Sequence, residues 1–187
     1  MPSNVEIKAR VPDMELLESK ARDHSGEEGK LLEQEDVFFV TPKGRLKLRH
    51  LKGQAAQLIY YERPDEEGPK TSLYHVFETE NPEDLKIALS MCLGVKGVVK
   101  KRRKLFMVGQ TRVHVDRVEG LGDFMELEVQ MQEGQTPEEG QKIAEDLMEK
   151  LGISRDSLIT GAYMDHILKK TEQNGENESP SKKIKHN

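Results

Sequence analysis

The chain has 187 residues, enough for one domain or two small ones. Charged residues make up 34% of it, 29 Lys and Arg against 34 Asp and Glu for a formal net charge of -5, while hydrophobic residues supply only 35%. No apolar run reaches the ~18 residues of a membrane span, the N-terminus lacks a signal-peptide pattern, and a single cysteine, Cys92, excludes an internal disulfide and a Cys-rich zinc site.

Residues 4–11 (NVEIKARV) alternate apolar Val5, Ile7, Ala9 and Val11 with Glu6, Lys8 and Arg10, a period of two that predicts a strand. Pro12-Asp13 opens a helix to about Asp23, with Leu16, Leu17 and Ala21 on one side. Residues 36–40 form a short strand that stops at the turn signal Thr41-Pro42-Lys43-Gly44. Strands follow at 45–49, 57–63 and 73–78. Residues 82–93 (PEDLKIALSMCL) are an amphipathic helix closed by Gly94, with Cys92 expected in the core. Further strands cover 98–108, 111–118 and 124–131, with Gly120-Leu121-Gly122 as a hairpin turn, and helices cover 137–151 and 157–169. Residues 1–170 form the folded body; 171–187 are polar and read as a disordered tail ending in a short basic cluster, Ser181 to His186.

About eight strands with few helices give an α+β fold, an antiparallel sheet or barrel with helices outside. Its strands carry charge in rows: Glu6, Lys8 and Arg10; Arg45, Lys47 and Arg49; Arg112, His114 and Asp116; Glu126 and Glu128; and the 100–104 segment (KKRRK). Two readings are open. The rows are solvated faces of independent strands, or the sheet closes and they line a tunnel. In a tunnel the basic side chains would neutralise phosphate oxygens. The carboxylates, two per strand face at i and i+2, would hold hard cations.

Six segments in order resemble the CYTH superfamily, the triphosphate tunnel metalloenzymes that take in class IV adenylyl cyclases and thiamine triphosphatases. They are NVEIK (Asn4 to Lys8), GRLKLR (from Gly44), YYERPD (from Tyr60), VVKKRRKLF (from Val98), HVDRVEGLGDFMELEV (from His114) and GAYMDHI (from Gly161), and together they span residues 4–168. The resemblance implies an eight-stranded antiparallel β-barrel with helices packed outside. It implies a Mg2+ or Mn2+ cofactor and phosphoryl or nucleotidyl transfer on a small-molecule triphosphate. It also implies roles. Glu6, Asp116, Glu126 and Glu128 are metal ligands. Lys8, with Glu6, is catalytic. Arg10, Arg45, Lys47, Arg49, Arg63, Lys101, Arg103 and Arg112 bind phosphate. Lys100 and Arg102 are the alternative to Lys101 and Arg103, and Tyr163 is expected at the tunnel mouth. Asn4 stands where the family motif Glu-x-Glu-x-Lys has its first Glu, removing one candidate metal charge.

The leading expectation is a metal-dependent phosphohydrolase acting on tripolyphosphate, a nucleoside triphosphate or thiamine triphosphate. Cyclisation of ATP is the alternative; it needs a base pocket and an activated ribose hydroxyl, and neither is identifiable in the sequence. A non-catalytic polyphosphate- or nucleotide-binding module is the third reading. The basic segment has no interleaved aromatics to stack bases, so nucleic acid is not the expected partner. A cytoplasmic monomer or homodimer is expected, with nuclear import the further reading of the basic tail.

Overall fold

The computed structural model describes residues 3–62 and 70–177. Eight strands carry the fold: β1 (Ser3–Arg10), β2 (Lys30–Phe39), β3 (Arg45–Leu51), β4 (Ala56–Glu62), β5 (Lys70–Thr79), β6 (Val95–Val108), β7 (Thr111–Val118) and β8 (Gly122–Gln130). Every neighbouring pair is antiparallel, and the order β1-β5-β4-β3-β2-β6-β7-β8 closes into a barrel. Closure decides between the two readings of the charged rows. A strand has two faces, and here the apolar one points outward.

There are four helices among the described residues, α1 (Met14–Ser25), α2 (Pro82–Leu93), α3 (Pro137–Lys150) and α4 (Tyr163–Asn177), and the first three cover that outer face. Asp13 caps α1, accepting the Leu16 N–H at 3.0 Å, and Thr136 with Glu139 forms a capping box on α3. α1 and α3 bury Leu17, Ala21, Ala144 and Leu147 against Val5, Ile7, Val113, Val115, Leu127 and Val129. α2 sets Leu85, Leu89 and Leu93 over Val37, Phe39 and Leu48. Two clusters of buried apolar residues therefore lie between barrel and helices, and a third, around Phe38, Val99 and Phe124, lies on the inward face at one end of the barrel.

Four local expectations change. β2 starts at Lys30, six residues before the short strand read from sequence. Its first half, Lys30-Leu31-Leu32-Glu33-Gln34, lacks period-two alternation, and ten cross-strand positions with β6 hold the full strand. Leu16 is 53% exposed, whereas Leu17 and Ala21 are buried. Cys92 is exposed rather than in the core, because α2 seats only its leucines. The last helix begins at Tyr163, after a 3-10 turn Arg155–Ser157 and a bridge from Leu158 to Ala9, and it runs to Asn177, seven residues into the segment read as a tail. Residues 178–187, with the basic cluster, and Arg63 lie outside the described residues. Among the described residues no helix is long and apolar enough to cross a membrane.

α4 closes one end of the barrel. Its first turn packs Tyr163 and Met164 among Phe38, Ile59, Tyr61, Val99, Val118 and Phe124. Gly97 on β6 makes room: a Cβ there would collide with the end of Met164. The Asp165 carboxylate accepts the Ala162 N–H at 2.8 Å and Arg45 Nη1 at 3.0 Å, tying the helix start to β3. Tyr163 is thus in the floor of the lumen and not at its mouth.

Candidate active site: the charged lumen

The lumen is a cavity of about 430 Å3. β1 contributes Asn4, Glu6 and Lys8, β3 Lys47 and Arg49, β6 Lys101 and Arg103, β7 Arg112 and His114, and β8 Glu126 and Glu128. Strand alternation alone selects these positions. It also settles the basic segment: Lys101 and Arg103 are buried in the lumen while Lys100 and Arg102 are exposed. Arg10 is exposed at the end of β1, with its guanidinium 5.1 Å from the Phe124 ring, and Arg45 is paired with Asp165; neither lines the cavity. Both sit at strand ends, where inward parity no longer points into the cavity.

Two carboxylates anchor the basic side chains. Asp116 is 0% exposed. Arg103 donates to it in a fork from Nε (2.7 Å) and Nη2 (2.6 Å), and the Tyr163 hydroxyl donates to its Oδ2 at 2.8 Å. Lys101 Nζ lies 3.7 Å away. Burial alone would raise the Asp116 carboxyl, but Arg103 and Lys101 outweigh it and hold the group well below the usual carboxylate range. The second anchor is Asp36, which sequence reasoning did not place in the site. Arg49 donates to it from Nε and Nη2, both at 2.9 Å, Lys47 Nζ lies 3.2 Å away, and Gln34 Nε2 donates at 3.0 Å. Burial is again overridden, here by Arg49 and Lys47. The available signal was parity: Asp36 sits opposite Arg49 across β2–β3, with Gln34 two residues before it.

The lysines pay for this enclosure. Burial and the Arg103 charge push Lys101 down to about 7 despite Asp116 nearby. Burial and Arg49 push Lys47 down to about 8. Lys8 Nζ lies 4.1 Å from the Tyr163 ring centroid and 3.7 Å from Glu126 Oε1. Glu126 also accepts Arg103 Nη2 at 2.9 Å, and Lys8 and Arg103 together hold its carboxyl low against burial. His114 is 4% exposed, between Glu126 (Nδ1 at 4.0 Å) and Glu128 (Nε2 at 3.9 Å). Burial, then Arg103, keep its imidazole neutral.

Glu128 differs from the other acids. Burial raises it, Arg112 at 3.2 Å opposes, and the Glu6 and Glu126 charges raise it further. Glu6 is its direct cross-strand partner. The Asn4 amide donates to Glu128, so the residue that replaces the first motif Glu binds this pair instead of adding to it. A divalent cation would relieve the Glu6–Glu128 repulsion. Among the described residues no three Asp, Glu, His or Cys groups form a ready cage. Magnesium does not need one, since it is commonly held by one or two carboxylates, waters and substrate phosphate. The donors therefore fit one hard cation at Glu6 and Glu128. Asp116 lies sealed under Arg103 and Tyr163, away from that pair.

Residues 3–163 match the CYTH domain. The Aeromonas hydrophila protein "Adenylate cyclase CyaB" is 30% identical over 143 residues, covering 70% of each chain. The PH1012 protein of Pyrococcus horikoshii has a solved structure that superposes with a TM-score of 0.75 at 29% identity, covering 87% of this chain and 98% of that one. A Hippeastrum protein, HpAC1, described as having a dominant triphosphatase activity, shares the fold at 18% identity and TM-score 0.58, covering 80% of this chain and 88% of that one. A closed barrel that turns its charged strand faces inward, matched over nearly all of its folded body, places this chain in the CYTH domain family.

Proposed function

We propose that the chain is a divalent-metal-dependent phosphohydrolase that cleaves the terminal phosphoanhydride of a triphosphate held in the lumen. One observation carries the reading. Five cationic side chains, Lys47, Arg49, Lys101, Arg103 and Arg112, converge on the cavity, and two buried carboxylates fix four of them in place. Such a cradle is preorganised for a polyanion and costs little reorganisation when the substrate enters. Phosphoryl transfer asks mainly for this positioning.

In the proposed roles, Lys47, Arg49, Lys101, Arg103 and Arg112 neutralise phosphate oxygens. Glu6 and Glu128 would hold Mg2+ or Mn2+, which would supply Lewis-acid neutralisation of the charge on the phosphates. Lys8, kept in place by Glu126 and the Tyr163 ring, orients the water at the terminal phosphorus. The water oxygen bonds to phosphorus, the bridging P–O bond breaks, and the remaining diphosphate leaves in line. The water's protons stay with the orthophosphate or pass to solvent. Asp116 and Asp36 act as positioning residues.

Cyclisation of ATP is the second reading, favoured by the name of the Aeromonas relative. A screen of ATP, thiamine triphosphate and tripolyphosphate with Mg2+ and Mn2+, scoring phosphate and cyclic AMP, separates the two. Phosphate release that needs metal is expected. Cyclic AMP as the main product from ATP would install the second reading, and a folded protein that turns over nothing would end both.

A further inference from the structure

His114 faces the lumen from β7, 4% exposed, between Glu126 and Glu128. Its Nδ1 is 4.0 Å from Glu126 Oε2 and its Nε2 is 3.9 Å from Glu128 Oε2, both beyond hydrogen-bond length. Nδ1 is buried and has no hydrogen-bond partner among the described residues. Burial and then Arg103 keep the imidazole neutral, so it has one N–H to offer and one bare lone pair. Ionised carboxylates only accept. In either tautomer one ring nitrogen therefore turns a lone pair toward another acceptor.

The two neighbours are not equivalent. Glu126 is held ionised by Lys8 at 3.7 Å and Arg103 at 2.9 Å, which makes it the better acceptor for the ring N–H, on Nδ1. Glu128 gives its Oε1 to Asn4 and Arg112, and its Oε2 accepts no hydrogen bond among the described residues. The bare pair is then Nε2 and Glu128 Oε2, beside the place where Glu6 stands opposite Glu128. A divalent cation would satisfy both atoms at once. Histidines that ligate a metal through one nitrogen commonly donate the other N–H to a carboxylate, which fixes the tautomer and the ring.

We infer that His114 Nε2 is a nitrogen ligand of the lumen cation, beside Glu6 and Glu128, with Glu126 as the positioning residue behind Nδ1. The site is then biased toward a first-row transition ion such as Mn2+, because imidazole adds little for magnesium, which takes oxygen ligands. The inference rests on the divalent-cation reading of the Glu6–Glu128 pair.

The test loads the full chain with Mn2+ alone and reads nitrogen couplings of the bound ion by pulsed electron paramagnetic resonance. His114 is the one histidine that lines the lumen among the described residues, so a histidine coupling reports it. Wild type should show such a coupling, and growth with 15N-histidine should change it, a control that needs no substitution. His114→Gln should lose the coupling and weaken Mn2+ binding by at least about tenfold, with Mg2+ binding changed far less. Glu126→Gln should keep a coupling while Mn2+ affinity falls by about 10–100-fold, as for other carboxylates behind a ligating histidine. Thermal unfolding confirms that each variant is folded. Mn2+ bound by wild type without a histidine coupling, or a coupling that survives in His114→Gln, overturns the inference and leaves a carboxylate-only cation site. Undiminished Mn2+ affinity in Glu126→Gln overturns the part given to Glu126. Wild type that takes up no Mn2+ overturns the cation reading itself.

Discussion

Replacing Asp116 by Asn separates an anchor from a metal ligand. The carboxylate is 0% exposed and accepts two donors from Arg103 at 2.7 and 2.6 Å and one from Tyr163 at 2.8 Å, with Lys101 at 3.7 Å. Asn keeps the shape but presents an NH2 where an acceptor is needed, and it leaves two buried cations short of countercharge. Removing one partner of a buried pair costs about 3–5 kcal/mol. Glu126 already shares Arg103 at 2.9 Å, so a value near the lower end, about 3 kcal/mol, is expected. For a chain of this length that lowers Tm by roughly 6–12 °C, at about 2–4 °C per kcal/mol. The assay is calorimetric unfolding at neutral pH and low salt, paired with a Mn2+ titration of the folded variant. The sign with pH follows from the depressed carboxyl. Its stabilisation is fully present above the unfolded Asp pKa of about 3.9 and is lost as pH falls through the lower folded value. The gap between variant and wild type should therefore narrow in acid. An unchanged Tm together with a collapse of Mn2+ affinity would refute the reasoning and restore Asp116 as a ligand.

The other predictions concern the cradle, the cation and the floor. Triphosphate binding should weaken as pH rises through about 7 and then about 8, where Lys101 and Lys47 lose their protons. Binding at pH 8 should take up protons, visible as a buffer-dependent calorimetric enthalpy; proton release would contradict the assignment. Arg49→Ala should raise the KM for tripolyphosphate by about 10–100-fold, given about 1.5–3 kcal/mol for a charge-assisted hydrogen bond. The effect should shrink at high salt. Glu128→Gln should weaken Mn2+ binding by at least about tenfold with Tm preserved or raised, since it removes one of two facing carboxylates; undiminished Mn2+ affinity would move the cation elsewhere. Gly97→Val should unseat Met164 and with it the first turn of α4, read as faster amide exchange over residues 162–168; unchanged protection would show that the floor does not depend on Gly97.

Residue order by itself determined the strands and most of the inward faces. Alternation is a local property: once Val5, Ile7 and Ala9 share a face, Glu6 and Lys8 must share the other. The same rule assigned Lys47, Arg49, Arg112, His114, Glu126 and Glu128 to one side each. Parity was blind to where a strand ends, so Arg10 and Arg45 read as site residues although both lie beyond the cavity. It was also blind where polar residues fill both faces, as in β2, so Asp36 and Gln34 went unread. Cys92 was misplaced because helix periodicity marks an apolar stripe but not what lies beneath it.

Tertiary structure decided the rest. Closure turned separate charged rows into one lumen, since only a closed sheet can put its polar faces together and its apolar faces under helices. Register then chose the ion pairs, Arg103 with Asp116 and Arg49 with Asp36, and set Glu6 against Glu128 with Asn4 bound to the latter. Partners 13 residues apart along the chain, and 124 in the case of Asn4 and Glu128, meet through cross-strand geometry that no local pattern encodes.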